Sequence, residues 1–120
     1  MNDRLRFIRH QDKDILLVDF SQCSKQEILK LVDQTKDTVT RQPHSSVLIL
    51  ADFGGASIDK EIGVRMKEVL VFDRPYVKRA AWVGAQGVPK VFYENFKAFS
   101  RRDFPTFESR EEAMEWLVGE

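Results

Sequence analysis

The stretch SSVLILADFGG, residues 45–55, decides the fold class of this chain. Its apolar run from Val47 to Ala51 is continuous, and such a run is typical of a central strand that is covered on both faces of a parallel sheet. Two glycines follow, and residues 57–70 then repeat apolar side chains at helical spacing. The stretch therefore predicts a strand, a turn and a helix at the centre of an α/β domain.

The same alternation extends in both directions along the chain. Residues 4–10 and 14–20 are short apolar stretches around a polar turn, which predicts a β-hairpin, and a helix follows from the capping box of Ser24 and Glu27 to Pro43. Downstream, residues 76–84 predict a strand, 88–102 a helix, 103–107 an edge strand and 109–120 a helix. The order β-β-α-β-α-β-α-β-α predicts one α/β domain over residues 1–120. Its sheet should have about five mostly parallel strands with an antiparallel N-terminal hairpin, and four helices should cover the faces.

Composition limits the classes of partner. The 120 residues carry 19 basic and 19 acidic side chains, so the basic excess of a dedicated nucleic-acid binder is absent. The single cysteine, Cys23, excludes an internal disulfide framework and fits a reducing cytoplasm. The N-terminus is charged throughout, unlike a signal peptide, and no apolar run approaches the length of a membrane span. We expect a cytoplasmic protein with no nucleic-acid partner and no membrane span.

The glycine-rich loop at residues 52–59 raises the question of phosphate binding. Backbone amides before a helix can hold an anion, but the P-loop lysine and the dinucleotide fingerprint are both absent from this loop. Ser57 has two interpretations. It is either the N-cap of the next helix, in the way that Ser24 and Ser109 cap theirs, or a phosphoacceptor. A helix N-terminus would favour an added phosphate, whereas Asp59 and Glu61 would repel it.

Catalytic and metal-binding patterns are not found in the sequence. His10 and His44 lack metal-ligand spacing, Cys23 has no CxxC partner, and no G-x-S-x-G elbow is present. We therefore expect no metal and no cofactor. A Ser-His-Asp arrangement can still assemble in space, so a hydrolase is a further functional hypothesis, although two histidines in predicted turns are poor candidates for it.

Binding residues are expected where the parallel strands end, since α/β folds place their sites in the loops at those ends. Two glycine-containing segments follow neighbouring strands and should lie side by side. The candidates are Asp52, Gly54, Gly55, Ser57 and Asp59 from the first segment, and Gly84, Gln86 and Gly87 from the second. An alternative is an apolar ligand surface between the second and third helices, formed by Phe72, Phe92, Tyr93 and Phe96; packing of these rings in the core competes with it.

The C-terminal segment AAWVGAQGVPKVFYENFKAFSRRDFPTFESREEAMEWL, residues 80–117, resembles the SpoIIAA-like (STAS-like) family of small α/β domains. A strand ends near a glycine, and a phenylalanine-rich helix, an F-x-x-F segment and a helix from S-x-E-E-A to W-L follow. The resemblance implies a non-enzymatic regulatory domain that binds a protein partner or a ligand. It also makes Ser57 the nearest equivalent of the phosphorylated serine in such domains, although they have D-S-S-G where this chain has GGASID. The alternative function is a carrier or sensor of a small apolar, lipid-like ligand. The edge of the hairpin would allow two copies to form a homodimer.

Overall fold

The computed structural model describes residues 4–85, 88–100 and 105–119, with backbone only at positions 99 and 100. Its elements alternate as the sequence pattern predicts. They are, in chain order, β1 Leu5–His10, β2 Lys13–Asp19, α1 Lys25–Val39, β3 Val47–Asp52, α2 Lys60–Asp73, β4 Val77–Val83, α3 Lys90–Ser100, β5 Thr106–Phe107 and α4 Arg110–Val118.

The strands form one five-stranded mixed sheet in the order β1-β2-β3-β4-β5. The β1–β2 hairpin is antiparallel and the other three pairings are parallel, so the predicted α/β class and the position of the hairpin are confirmed. β3 lies in the centre, and its residues from Val47 to Ala51 are all buried, as the continuous apolar run indicated. β5 lies at the edge opposite the hairpin, directly after Pro105.

The helices divide three to one between the two faces of the sheet. Strand order follows chain order, so the crossovers from β2 to β3, β3 to β4 and β4 to β5 all move in the same direction across the sheet. Right-handed crossovers that move in one direction place their helices on the same face. Accordingly Ile28 of α1, Ile62 of α2 and Phe96 of α3 share one buried cluster. α4 follows the last strand and is free of that constraint. It packs Ala113 and Leu117 against the opposite face.

The helix starts confirm two of the three predicted serine caps. The amide of Glu27 donates to Ser24 Oγ at 3.3 Å, and the amide of Glu112 donates to Ser109 Oγ at 3.2 Å. At α2, however, the cap is Asp59, which accepts from the amide of Ile62 at 2.9 Å. The interpretation of Ser57 as an N-cap is therefore wrong: the chain stays non-helical through Ile58, which is buried, and the helix begins only at Lys60.

Candidate functional site

A polar cluster lies where β2 and β3 end. We call Arg4, Asp19, Ser21, Asp52 and Arg110 the strand-end cluster. Asp19 and Asp52 are the last residues of their strands, and the period of two places them on the α4 face. Arg110, the first residue of α4, donates from Nε to Asp52 Oδ2 at 2.8 Å and lies 3.4 Å from Asp19 Oδ2. One guanidinium thus fastens α4 to the ends of two strands.

Asp19 stays ionised in this cluster. Burial raises the pKa of its carboxyl group. Two hydrogen bonds, from the hydroxyl and the amide of Ser21, lower it, and so do the charges of Arg110 and Arg4. The lowering effects are larger, so the pKa lies below its usual value. Arg4 also donates to the carbonyl of Ser21 at 2.7 Å and holds the turn after β2. The cluster is therefore a set of paired charges that fixes the rim of the sheet. Sequence patterns missed its pairing because Arg110 and Asp52 are 58 residues apart.

The two glycine segments meet as expected. Gly84 has a φ of +67°, and a Cβ placed there would lie 2.8 Å from the amide nitrogen of Gly54. Gly54 also donates its amide to Asp52 Oδ1 at 2.9 Å, so the loop turns back on the end of its own strand. Gln86 and Gly87 lie outside the described residues. The role of these residues in binding stays a prediction.

The loop at residues 53–59 is anchored at its base and open at its rim. Phe53 is fully buried and stacks on Phe20 with ring centroids 5.0 Å apart. Ala56 and Ile58 are also buried, whereas the alternate residues Gly55, Ser57 and Asp59 are exposed, and we call these three the loop rim. Within the described parts of the chain, the Ser57 side chain makes no hydrogen bond. Its hydroxyl group is therefore accessible on a fixed backbone.

The carboxylates next to Ser57 are paired, which sequence reasoning missed. Lys25 Nζ lies 2.8 Å from Asp59 Oδ2 and 2.7 Å from Glu61 Oε1, across the gap between α1 and α2. Both contacts raise the pKa of Lys25. The hydrogen bond from the amide of Ile62, followed by that from Lys25, lowers the pKa of Asp59. The repulsion of a phosphate on Ser57 by these two carboxylates is consequently weaker than the sequence indicated.

Three of the four candidate aromatic side chains pack together, whereas Phe72 lies apart from them. Phe92 stacks on Phe96 with ring centroids 6.4 Å apart, and Tyr93 and Phe96 both contact Trp82. Phe96 is only 1% exposed and packs against Trp82, as the core-packing interpretation predicts. Phe92 lies against α2, where a Cβ on Gly63 would approach its ring to 3.3 Å. Phe72 is 56% exposed and lies on the α1 side of α2, under the ammonium group of Lys36. It follows Gly63 by nine residues, which is about 13 Å along the axis of α2. The helix pair is therefore closed where Phe92 packs.

The cavities differ in size and lining. An apolar cavity of about 50 Å³ lies between the sheet and helices α1 and α2, with Asp73 and Thr35 among its lining residues. A cleft of about 530 Å³ opens between the start of α3 and β5, bordered by Ala85, Val88, Lys90, Tyr93, Thr106, Phe107 and Glu108. Small-molecule sites usually have about 300–1,000 Å³, so the apolar cavity is far below that range.

The histidines occupy separate parts of the fold. His10 Nε2 lies 3.1 Å from Glu115 Oε1 on α4, whereas His44 packs edge-on against Tyr76. In the residues that the structure describes, no three His, Cys, Asp or Glu side chains are grouped so as to hold a metal ion. None of the helices in that part is long and apolar enough to cross a membrane.

Comparison with known proteins gives no match: no family model fits the chain, and no curated protein or solved structure has significant similarity to it. The resemblance to the SpoIIAA-like family therefore stays a prediction.

Proposed function

We propose that this chain is a cytoplasmic, non-enzymatic regulatory domain of SpoIIAA-like type that binds a protein partner through the loop rim. The observation that carries the proposal is the alternation of buried anchors and exposed polar residues along the loop. A loop that is already fixed loses little conformational entropy when a partner binds. Gly55, Ser57 and Asp59 would then form the contact surface.

Ser57 is the proposed point of regulation. Its hydroxyl is exposed, it precedes the cap of α2 by two residues, and the neighbouring carboxylates are held by Lys25. A phosphate there would add negative charge close to the positive end of α2 and to Lys25. Phosphorylation would therefore change the charge of the rim without disturbing a buried group.

Affinity capture from cells of the source organism tests the binding proposal. Ser57→Arg places a bulky cation on the rim. The control, Ser46→Arg, makes the same substitution at an exposed residue just before the first residue of β3. We expect a partner that the wild-type protein and Ser46→Arg retain and that Ser57→Arg loses, both in the extract and with the purified partner. Identical capture by all three proteins, or loss with Ser46→Arg instead, would refute the proposal.

Peptide mapping of the chain purified from its native host tests the regulatory part separately. We expect a phosphate on Ser57 under at least one growth condition. Its absence under all tested conditions removes the regulatory role and leaves the capture result to decide on binding.

The alternative function, carriage of a small apolar ligand between α2 and α3, has weaker support from the geometry. Phe92 packs closely against Gly63 at that interface. The apolar cavity of about 50 Å³ lies instead between the sheet and helices α1 and α2, and it is too small for a lipid chain. Native mass spectrometry of the freshly purified protein separates the two functions. A co-purifying fatty acid or isoprenoid would favour the carrier. A native mass equal to that of the protein without a bound ligand would count against it.

A further inference from the structure

A cleft with a volume of about 530 Å³ separates the start of α3 from β5. This volume lies within the range of about 300–1,000 Å³ that is usual for small-molecule sites. Ala85, which follows the end of β4, and Glu108, which directly follows β5, both border the cleft. Ligands of α/β folds bind outside the carboxyl ends of the parallel strands. The size and the position of the cleft are therefore both those of a small-molecule site.

Trp82 connects the two walls of the cleft. On the α3 wall, the ring of Tyr93 packs edge-on against Trp82, with ring centroids 5.5 Å apart. On the opposite wall, Thr106 pairs with Trp82 in the parallel ladder of β4 and β5. Because Trp82 is itself only 3% exposed, both walls are fixed to the core. A site with fixed walls loses little conformational entropy when a ligand binds.

The polar side chains of the cleft are available to a ligand. Lys90 lines it from the start of α3, whereas Thr106 and Glu108 line it from β5 and from the residue after β5. All three are exposed, and within the described ranges none of their side chains forms a hydrogen bond or an ion pair. The strand-end cluster differs, because there Arg110 holds two carboxylates. One uncompensated cation and one uncompensated anion thus border the same cleft from opposite walls.

We propose that this cleft binds a small zwitterion with an apolar side chain, of the class of free α-amino acids. The ammonium group of Lys90 pairs with the carboxylate of the ligand, and the carboxylate of Glu108 pairs with its ammonium group. The side chain of the ligand packs on the rings of Tyr93 and Phe107, which also line the cleft. This site is separate from the loop rim, and the inference does not depend on the proposed function.

The lining of the cleft favours a zwitterion over ligands of other chemistry. A hydrocarbon chain would remove Lys90 and Glu108 from water without offering either of them a partner, which is costly. A phosphate ester would be attracted by Lys90 and by the positive end of α3, whose first turn has no acidic residue, but Glu108 would repel it. An amino acid pairs with both charges and also contacts the apolar part of the cleft.

NMR titration of the full, ¹⁵N-labelled chain tests the proposal, because it measures weak affinities and locates the binding site. The probes are L-leucine, L-phenylalanine and L-tryptophan. For the amino acid that binds most tightly, two analogues follow, one without the ammonium group and one without the carboxylate. We expect the amino acid to bind at least about threefold more tightly than either analogue, because each analogue leaves one charged side chain of the cleft without a partner.

Two substitutions test the assigned contacts. Lys90→Gln should weaken binding of the amino acid at least about threefold and leave binding of the analogue without a carboxylate unchanged. Glu108→Gln should weaken binding of the amino acid to a similar extent and leave binding of the analogue without an ammonium group unchanged. The controls Lys30→Gln and Asp37→Asn remove the same charges at exposed positions of α1 and should preserve the wild-type affinity. Thermal unfolding checks that all four variants fold.

Three results would overturn the proposal. The first is the absence of amide shifts with all three amino acids. The second is a set of shifts that leaves the amides of Ala85, Tyr93 and Thr106 unmoved, because the ligand would then bind elsewhere. The third is equal affinity for the amino acid and both analogues, or a loss of affinity in the controls equal to that in Lys90→Gln and Glu108→Gln.

Discussion

Substitution of Gly84 by alanine should strongly destabilise the protein. A Cβ at this position would lie 2.8 Å from the amide nitrogen and 2.9 Å from the Cα of Gly54, and both are backbone atoms that cannot swing away. The φ of +67° adds the cost of an L-residue in the left-handed region, about 1–2 kcal/mol. Overpacking against a fixed neighbour costs about 1–3 kcal/mol. The two effects together lower the free energy of unfolding by about 2–5 kcal/mol.

Gly55→Ala is the matched control for this prediction. Gly55 has a similar φ of +73°, but the three atoms nearest to a Cβ there all belong to the side chain of Gln22, an exposed residue that can move. The control therefore loses only the backbone contribution, about 1–2 kcal/mol. The difference between the two variants isolates the close approach of the two loop segments.

Urea unfolding followed by tryptophan fluorescence measures both variants. Trp82 is 3% exposed in the folded chain and enters water on unfolding, so its emission reports the transition. Equal stability of the two variants, or a loss below about 1 kcal/mol for Gly84→Ala, would refute the reasoning, because the left-handed backbone alone should cost that much.

Three further predictions concern charges at the strand ends and at the start of α2. Asp59→Ala should lower the free energy of unfolding by about 0.5–2 kcal/mol through loss of the helix cap, whereas Ser57→Ala should change it by less than about 0.5 kcal/mol; similar losses in urea unfolding would contradict the assigned cap. Arg110→Met should cost about 1–3 kcal/mol in the same assay, since two carboxylates lose a charged donor, and an unchanged unfolding midpoint would contradict this role. Because the folded pKa of Asp19 is lowered, its stabilisation is present above the unfolded value of about 4 and is lost as the pH falls through the folded value. Asp19→Asn should therefore flatten the acid side of the stability profile, and parallel profiles for variant and wild type would exclude this contribution.

Most of the secondary structure could be predicted because buried positions are occupied by apolar residues, whose spacing along the chain differs between strands and helices. The run from Val47 to Ala51 indicated a strand covered on both faces, and that strand lies in the centre of the sheet. Ser24 with Glu27 marked the start of α1 for an equally local reason, since a cap and its amide are three residues apart. At α2 the same local rule predicted a cap at Ser57 and was wrong. Ile58 is buried in the packed loop, and the helix is capped by Asp59 instead.

The candidate site was only partly predictable. Consecutive parallel strands end at the same edge, so the meeting of Gly54 with Gly84 followed from element order. The pairing of Lys25 with Asp59 and Glu61 did not, because it depends on the distance between two helices.

The sequence by itself determined the α/β class, the order of the elements and the double burial of β3, since these depend on the period of apolar residues along the chain. Only the tertiary structure decided that three helices share one face while α4 covers the other, and that Arg110 lies between Asp19 and Asp52. Strand register and crossover direction bring those residues together, and neither leaves a periodic signal in the sequence.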